Sequence, residues 1–140
     1  MKLKVVIDTG FWIALLDPTK DLKNSIEAER IAEEIADEEL IIPFPTLYEF
    51  VNSRLSRRDS KLQFERILNR PNVIKLSDSK YKHNALENFF IKSKSEFTDI
   101  SLVDEVIKLI IADKDLKIDY IAAFDEGLLN YAISQGIKKI

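Results

Sequence analysis

With 140 residues, 46% hydrophobic, 9% aromatic, and only three Gly and four Pro, the chain suits one compact domain spanning 1–140. Collagen-like, low-complexity and natively disordered classes are excluded, because they lack the apolar surface that offsets ordering entropy. The absence of Cys excludes disulfide frameworks and thiol chemistry, and a net charge of −3, from 21 Lys and Arg against 24 Asp and Glu, excludes a surface that is basic throughout.

In chain order, Leu3-Lys4-Val5-Val6-Ile7 is short and β-branched, the pattern of a strand buried on both faces of a parallel sheet, and it ends at Asp8. Between Asn24 and Asp37 the residues Ile26, Ala28, Ile31, Ala32, Ile35 and Ala36 recur at helical intervals with Glu on the other face, which predicts an amphipathic helix. Leu40-Ile41-Ile42 predicts a second strand, stopped by Pro43-Phe44-Pro45. Thr46 is then placed to cap a helix carrying Leu47, Phe50, Val51 and Leu55. Ser60 is placed to cap a short helix with Leu62, Ile67 and Leu68, ended by Pro71, before a minimal strand at Val73-Ile74. Further helices are predicted from Ser79 to about Lys92 and, after a Ser101 cap, through Val103, Val106, Ile107, Ile110 and Ile111. Ile118 to Phe124 reads as a strand, Leu128 to Ile133 as a short helix, and a last strand ends at Ile140. This alternation predicts an α/β protein: a three-layer α/β/α sandwich with a central, mainly parallel sheet. No linker or repeat interrupts it, and the segment from Ser93 to Thr98 is the one loop of any length. Apolar runs such as Phe11 to Leu16 fall far short of the roughly 20 residues a membrane helix requires, and no cleavage-like site follows Val5 to Ile7, so a cytoplasmic protein is expected.

Chemistry is sought where open α/β sheets place it, just past the carboxyl ends of the strands. Asp8 and Asp125 both follow apolar strands, where a carboxylate is desolvated unless a cation faces it. Glu49 lies on the polar side of its helix with Asn52, and Asp104 lies in the first turn after Ser101. Bland readings exist for each: Asp104 completes a Ser101-x-x-Asp capping box, Asp8 and Asp125 cap helices, and Glu49 is an exposed helical acid. Those readings explain the acids one at a time, whereas a divalent-cation site explains all four together. Hard oxygen donors suit magnesium or manganese, and such ions activate water for attack on a phosphodiester.

Other catalytic classes lack their parts. His83 is the single histidine and there is no Cys, so a zinc ligand set cannot be assembled, and His83 reads as a surface residue. No Gly-x-Ser-x-Gly turn or Gly-rich phosphate loop is present, with Gly only at 10, 127 and 136. Charge is segregated along the chain: seven acids stand between Glu27 and Glu39 against Arg30 alone, and six bases between Arg54 and Arg70 against Asp59 and Glu65. Both segments suit solvated helix faces; alternatively Arg54, Arg57, Arg58 and Lys61 form a phosphate-positioning patch, and the acidic run serves an interface.

Taken together, the blocks Val5-Val6-Ile7-Asp8-Thr9-Gly10, Pro45-Thr46-Leu47-Tyr48-Glu49-Phe50-Val51-Asn52, Ile100-Ser101-Leu102-Val103-Asp104 and Ala123-Phe124-Asp125-Glu126-Gly127-Leu128 make the chain resemble the PIN-domain family. This is a metal-dependent ribonuclease fold that includes VapC-type toxins of prokaryotic toxin–antitoxin pairs. The resemblance spans nearly the whole chain and implies that Asp8, Glu49, Asp104 and Asp125 are the catalytic, metal-binding acids, with Thr9, Asn52 and Ser101 in support. Asp99, in the pair Thr98-Asp99, competes for the third position; Asp104 is preferred because it stands 21 residues before Asp125. Many relatives carry Thr where this chain has Val103 and Ala123, which removes hydroxyl contacts. The resemblance further implies a homodimer and a proteinaceous antitoxin. The leading expectation is a Mg2+- or Mn2+-dependent endoribonuclease; the rivals are a weakly active RNA- or protein-binding module and a phosphoesterase of small substrates.

Overall fold

The computed structural model describes residues 2–53, 58–95 and 101–140. Strands β1 (Lys4–Ile7), β2 (Glu39–Pro43), β3 (Val73–Leu76), β4 (Tyr120–Ala122) and β5 (Lys138–Lys139) pair in parallel throughout, in the order β3-β2-β1-β4-β5. Helices α1 (Thr9–Leu16), α2 (Leu22–Ile35), α3 (Phe44–Ser53), α4 (Arg58–Leu68), α5 (Lys82–Ser95), α6 (Leu102–Ala112) and α7 (Glu126–Ser134) connect and flank them. Because side chains alternate along a strand, Val5 and Ile7 of β1 enter one core and Val6 the other. The first core joins Leu40, Ile42 and Ala122 to α1, α2, α3 and α4 through residues such as Trp12, Ile31, Phe50 and Phe64. The second joins Ile41, Ile121 and Ala123 to α6 and α7 through Ile107, Ile111 and Leu128. A satellite cluster of Tyr81, Ala85, Val106 and Ile110 packs α5 on α6. The result is the expected α/β/α sandwich, with strands apolar on both faces because helices cover both.

The local differences have physical causes. Helix α1 has no counterpart among the predicted elements: Phe11, Trp12, Ala14 and Leu16 are buried around its circumference, so it carries no polar face and no helical period. Thr46 does not cap α3, which starts two residues earlier; its hydroxyl instead donates to the Pro43 carbonyl at 2.7 Å. Ser60 likewise lies inside α4, and its hydroxyl donates across to the Leu16 carbonyl at 3.0 Å, tying α4 to the end of α1. Asp21 caps α2 by accepting from the Asn24 amide, and Gly136, at φ +84°, ends α7 in the left-handed conformation that a Cβ would strain. The acidic run does form a solvated face on α2, where Arg30 pairs with Glu34 at 2.7 Å.

Candidate active site

The strand order turns back at β1, with β2 and β3 to one side and β4 and β5 to the other. At such a reversal the connections diverge and leave a crevice outside the strands' carboxyl ends. Asp8 is the first residue beyond β1, held to β4 by its amide, which donates to the Ala122 carbonyl at 3.1 Å. Asp125 follows β4 and leads into α7. Glu49 is carried by α3 and Asp104 by the first turn of α6, two helices that pack against each other.

These four carboxylates repel one another. Asp8 is 8% exposed, and its carboxyl is pushed from an ordinary 3.8 to about 7, first by burial and then by Asp104, Glu49 and Asp125, with the Thr9 amide pulling the other way. Asp104 is also raised, by burial first and then by Asp125 and Glu49, while Lys108 one turn along the helix opposes the shift. The capping readings fare differently at each position. Asp125 caps α7, accepting from the Leu128 amide at 2.9 Å, and Asp104 donates its amide to Ser101 Oγ at 3.3 Å. Asp8 occupies the N-cap position of α1 without making a side-chain cap bond. Capping therefore accounts for Asp125 and for the Ser101–Asp104 pairing, but not for a buried acid at position 8 whose proton affinity is raised by three others.

Two further features surround Asp8 and Asp125. Thr9 is 4% exposed and, among the described residues, its hydroxyl has no hydrogen-bond partner, an orphaned polar atom directly after Asp8. At Gly127 a Cβ would meet Asp125 Oδ1 at 3.1 Å, so the glycine lets the carboxylate lie over the first turn of α7. Among the described residues, no group of three or more His, Cys, Asp or Glu side chains is gathered closely enough to hold a metal ion. The acids expected from sequence are thus an electrostatic cluster in this structure rather than a closed ligand shell. The donor chemistry fits a hard divalent cation: carboxylate oxygens with mutual repulsion to relieve, beside an unpartnered hydroxyl.

The remaining expected site residues divide. Arg54, Arg57 and Asp99 lie outside the described residues, as do the side chains of Asn52 and Arg58. Lys61 is exposed on α4, and His83 is exposed on α5. Val103 and Ala123 pack in the core cluster that includes Leu128, so these positions take apolar side chains for packing. One ion pair escaped sequence reasoning. Glu105, beside Asp104, is 2% exposed and accepts Lys92 Nζ at 2.7 and 2.9 Å, which locks α5 to the start of α6. Its partner stands on a different helix, so no local pattern announces it.

Residues 5–140 match the family described as PIN domain. The chain belongs to the PIN-domain family. No curated protein matches its sequence. Solved structures agree on the fold of this PIN domain. It is similar to Mycobacterium tuberculosis VapC20, described as a sarcin–ricin loop cleaving toxin, with a TM-score of 0.66 and 16% identity over 89% of this chain and 92% of that one. It is also similar to FitAcB from Neisseria gonorrhoeae, with a TM-score of 0.59 and 15% identity over 97% of this chain and 96% of that one. The PIN domain therefore has the fold and family of PIN-type nucleases. Among the described residues, no helix is long and apolar enough to cross a membrane.

Proposed function

We propose that this PIN-domain protein is a Mg2+- or Mn2+-dependent endoribonuclease acting in the cytoplasm as a single catalytic domain, the toxin of a toxin–antitoxin pair. The observation that carries the reading is Asp8: a buried acid at the end of the central strand whose carboxyl is raised to about 7 by burial and three other acids. A buried acid facing other acids costs stability, and perturbed acids in a crevice mark sites of chemistry. Asp8, Glu49, Asp104 and Asp125 would hold the ion, directly or through water, with the Thr9 hydroxyl as a further oxygen donor. When bound, the ion neutralises charge on the phosphodiester and activates a water for in-line attack.

The protein's own groups do the rest. With its carboxyl raised to about 7, Asp8 is about half protonated at neutral pH, and a cation held there would favour its ionised form. Asp125 is oriented by the Leu128 amide and Asp104 by the turn that Ser101 caps, so neither needs to search for its position. Lys61, with Arg54, Arg57 and Arg58, is proposed to grip phosphates along the strand, which makes RNA affinity fall with salt. Leu86, Phe90 and Ile91, exposed on α5, support an apolar contact of the kind a homodimer needs.

The test is cleavage of structured and single-stranded RNA with manganese, with magnesium and with chelator, alongside Asp8→Asn. Cleavage that needs the metal and disappears in the variant is the expected result. The rival reading is an RNA- or protein-binding module of the same fold, favoured by the lack of a closed ligand shell among the described residues. RNA bound but left intact under every metal condition would establish that rival and overturn the nuclease.

A further inference from the structure

Beside the acid cluster lies a cavity of about 410 Å³ with Glu49 in its wall. Tyr48, Leu102 and Val103 form apolar sides, and Asp78 and Lys82 add a carboxylate and an ammonium group. Two of these wall residues are the chain neighbours of acids: Tyr48 precedes Glu49 on α3, and Val103 precedes Asp104 on α6. Because Glu49 itself lines the wall, whatever occupies the cavity sits against that member of the cluster. Tyr48 is 62% exposed and Leu102 40% exposed, although both stand next to elements of the core. The turn bearing Asp78 is fixed, since its carbonyl accepts the amides of Tyr81 and Lys82 at 2.9 Å each.

From this arrangement we propose that the cavity is a nucleobase subsite. One base of a single-stranded RNA stacks on Tyr48 while the adjoining phosphate lies at the acid cluster. The inference rests on the ribonuclease reading and deepens it by naming what positions the strand. An acidic cluster repels an RNA backbone, so affinity next to it has to come from the neutral part of the nucleotide. Aromatic faces supply that affinity for any base. The volume lies within the ~300–1,000 Å³ of small-ligand sites, and polar groups in a mostly apolar pocket fix orientation. Each base presents both donors and acceptors on its edge, which the Asp78 carboxylate and the Lys82 ammonium group complement. A phosphate alone leaves the apolar walls and the tyrosine without a role.

The experiment uses the full chain and a fluorescein-labelled single-stranded RNA, read by anisotropy without metal and by cleavage with manganese. The wild type is compared with Tyr48→Phe and Tyr48→Ala, on the intact strand and on strands carrying one abasic nucleotide at successive positions. The expected result is binding weakened roughly 5- to 150-fold in Tyr48→Ala and retained in Tyr48→Phe. At one position the abasic strand should erase the difference between wild type and Tyr48→Ala. Cleavage with no effect of Tyr48 or of any abasic site overturns the subsite and leaves the nuclease standing. The Tyr48 and abasic pattern in binding, with no cleavage in manganese, supports the subsite and overturns the nuclease. Absence of both binding and cleavage overturns both. Loss of self-association in Tyr48→Ala, with RNA binding unchanged, assigns the cavity to a second copy of the chain and overturns the proposal.

Discussion

Replacing Asp8 with Asn should make the protein more stable and inactive at once. In the folded chain this carboxyl ionises at about 7, against 3.8 ordinarily. Below about pH 4 it is protonated in both folded and unfolded chains, and its contribution to stability is fully present. As pH rises from about 4 to about 7 the unfolded chain gives up the proton and the folded chain keeps it, so stability falls; above 7 the loss is complete. Going from 3.8 to about 7, at ~1.36 kcal/mol for each tenfold change in proton affinity, sets a ceiling of ~4 kcal/mol. A buried amide that finds incomplete partners returns ~1–3 kcal/mol of that. The expected net gain for Asp8→Asn at pH 8 is ~1–3 kcal/mol, or about 3–10 °C in Tm. Calorimetric scans of both proteins in chelator at pH 4, 6 and 8 measure it, with RNA cleavage followed at pH 8. The difference between the two proteins isolates this group from Asp113, whose carboxyl Lys80 and Tyr81 hold below its usual range and which therefore acts in the opposite sense. The reasoning is refuted if the difference in Tm is the same at pH 4 and pH 8.

Lys92→Met leaves Glu105 buried and unpaired, which should cost ~3 kcal/mol in urea denaturation; the Lys92→Met/Glu105→Leu pair should recover most of it. Phe64→Ala removes a ring packed 5.1 Å from Trp12 and 4.9 Å from Phe50, centroid to centroid, and should destabilise by ~3–5 kcal/mol in the same assay. Gly127→Ala adds a Cβ 3.1 Å from Asp125 Oδ1, so the carboxylate has to shift by a few tenths of an ångström. Because Ala favours a helix over Gly by up to ~1 kcal/mol, Tm should hold or rise while manganese-dependent cleavage falls. A loss of stability without loss of cleavage would show that Gly127 serves packing alone.

The amino-acid order by itself determined the layer architecture and the positions of the acids. Parallel strands covered on both faces are continuous apolar runs, and Asp8 and Asp125 are conspicuous because they end such runs. Helices α2 and α6 were legible through their periodicity, whereas α1 was not, because a helix buried all round has no polar face to set a period. Thr46 and Ser60 misled as caps: a hydroxyl near a helix start serves as well by donating to a carbonyl, and only the packed chain selects Pro43 and Leu16 as acceptors. Tertiary structure alone decided the rest, for one physical reason. The proton affinity of Asp8, the Lys92–Glu105 lock and the cavity beside Glu49 are properties of groups on different elements, and energies that depend on the distance between them do not exist until the sheet has brought those elements together.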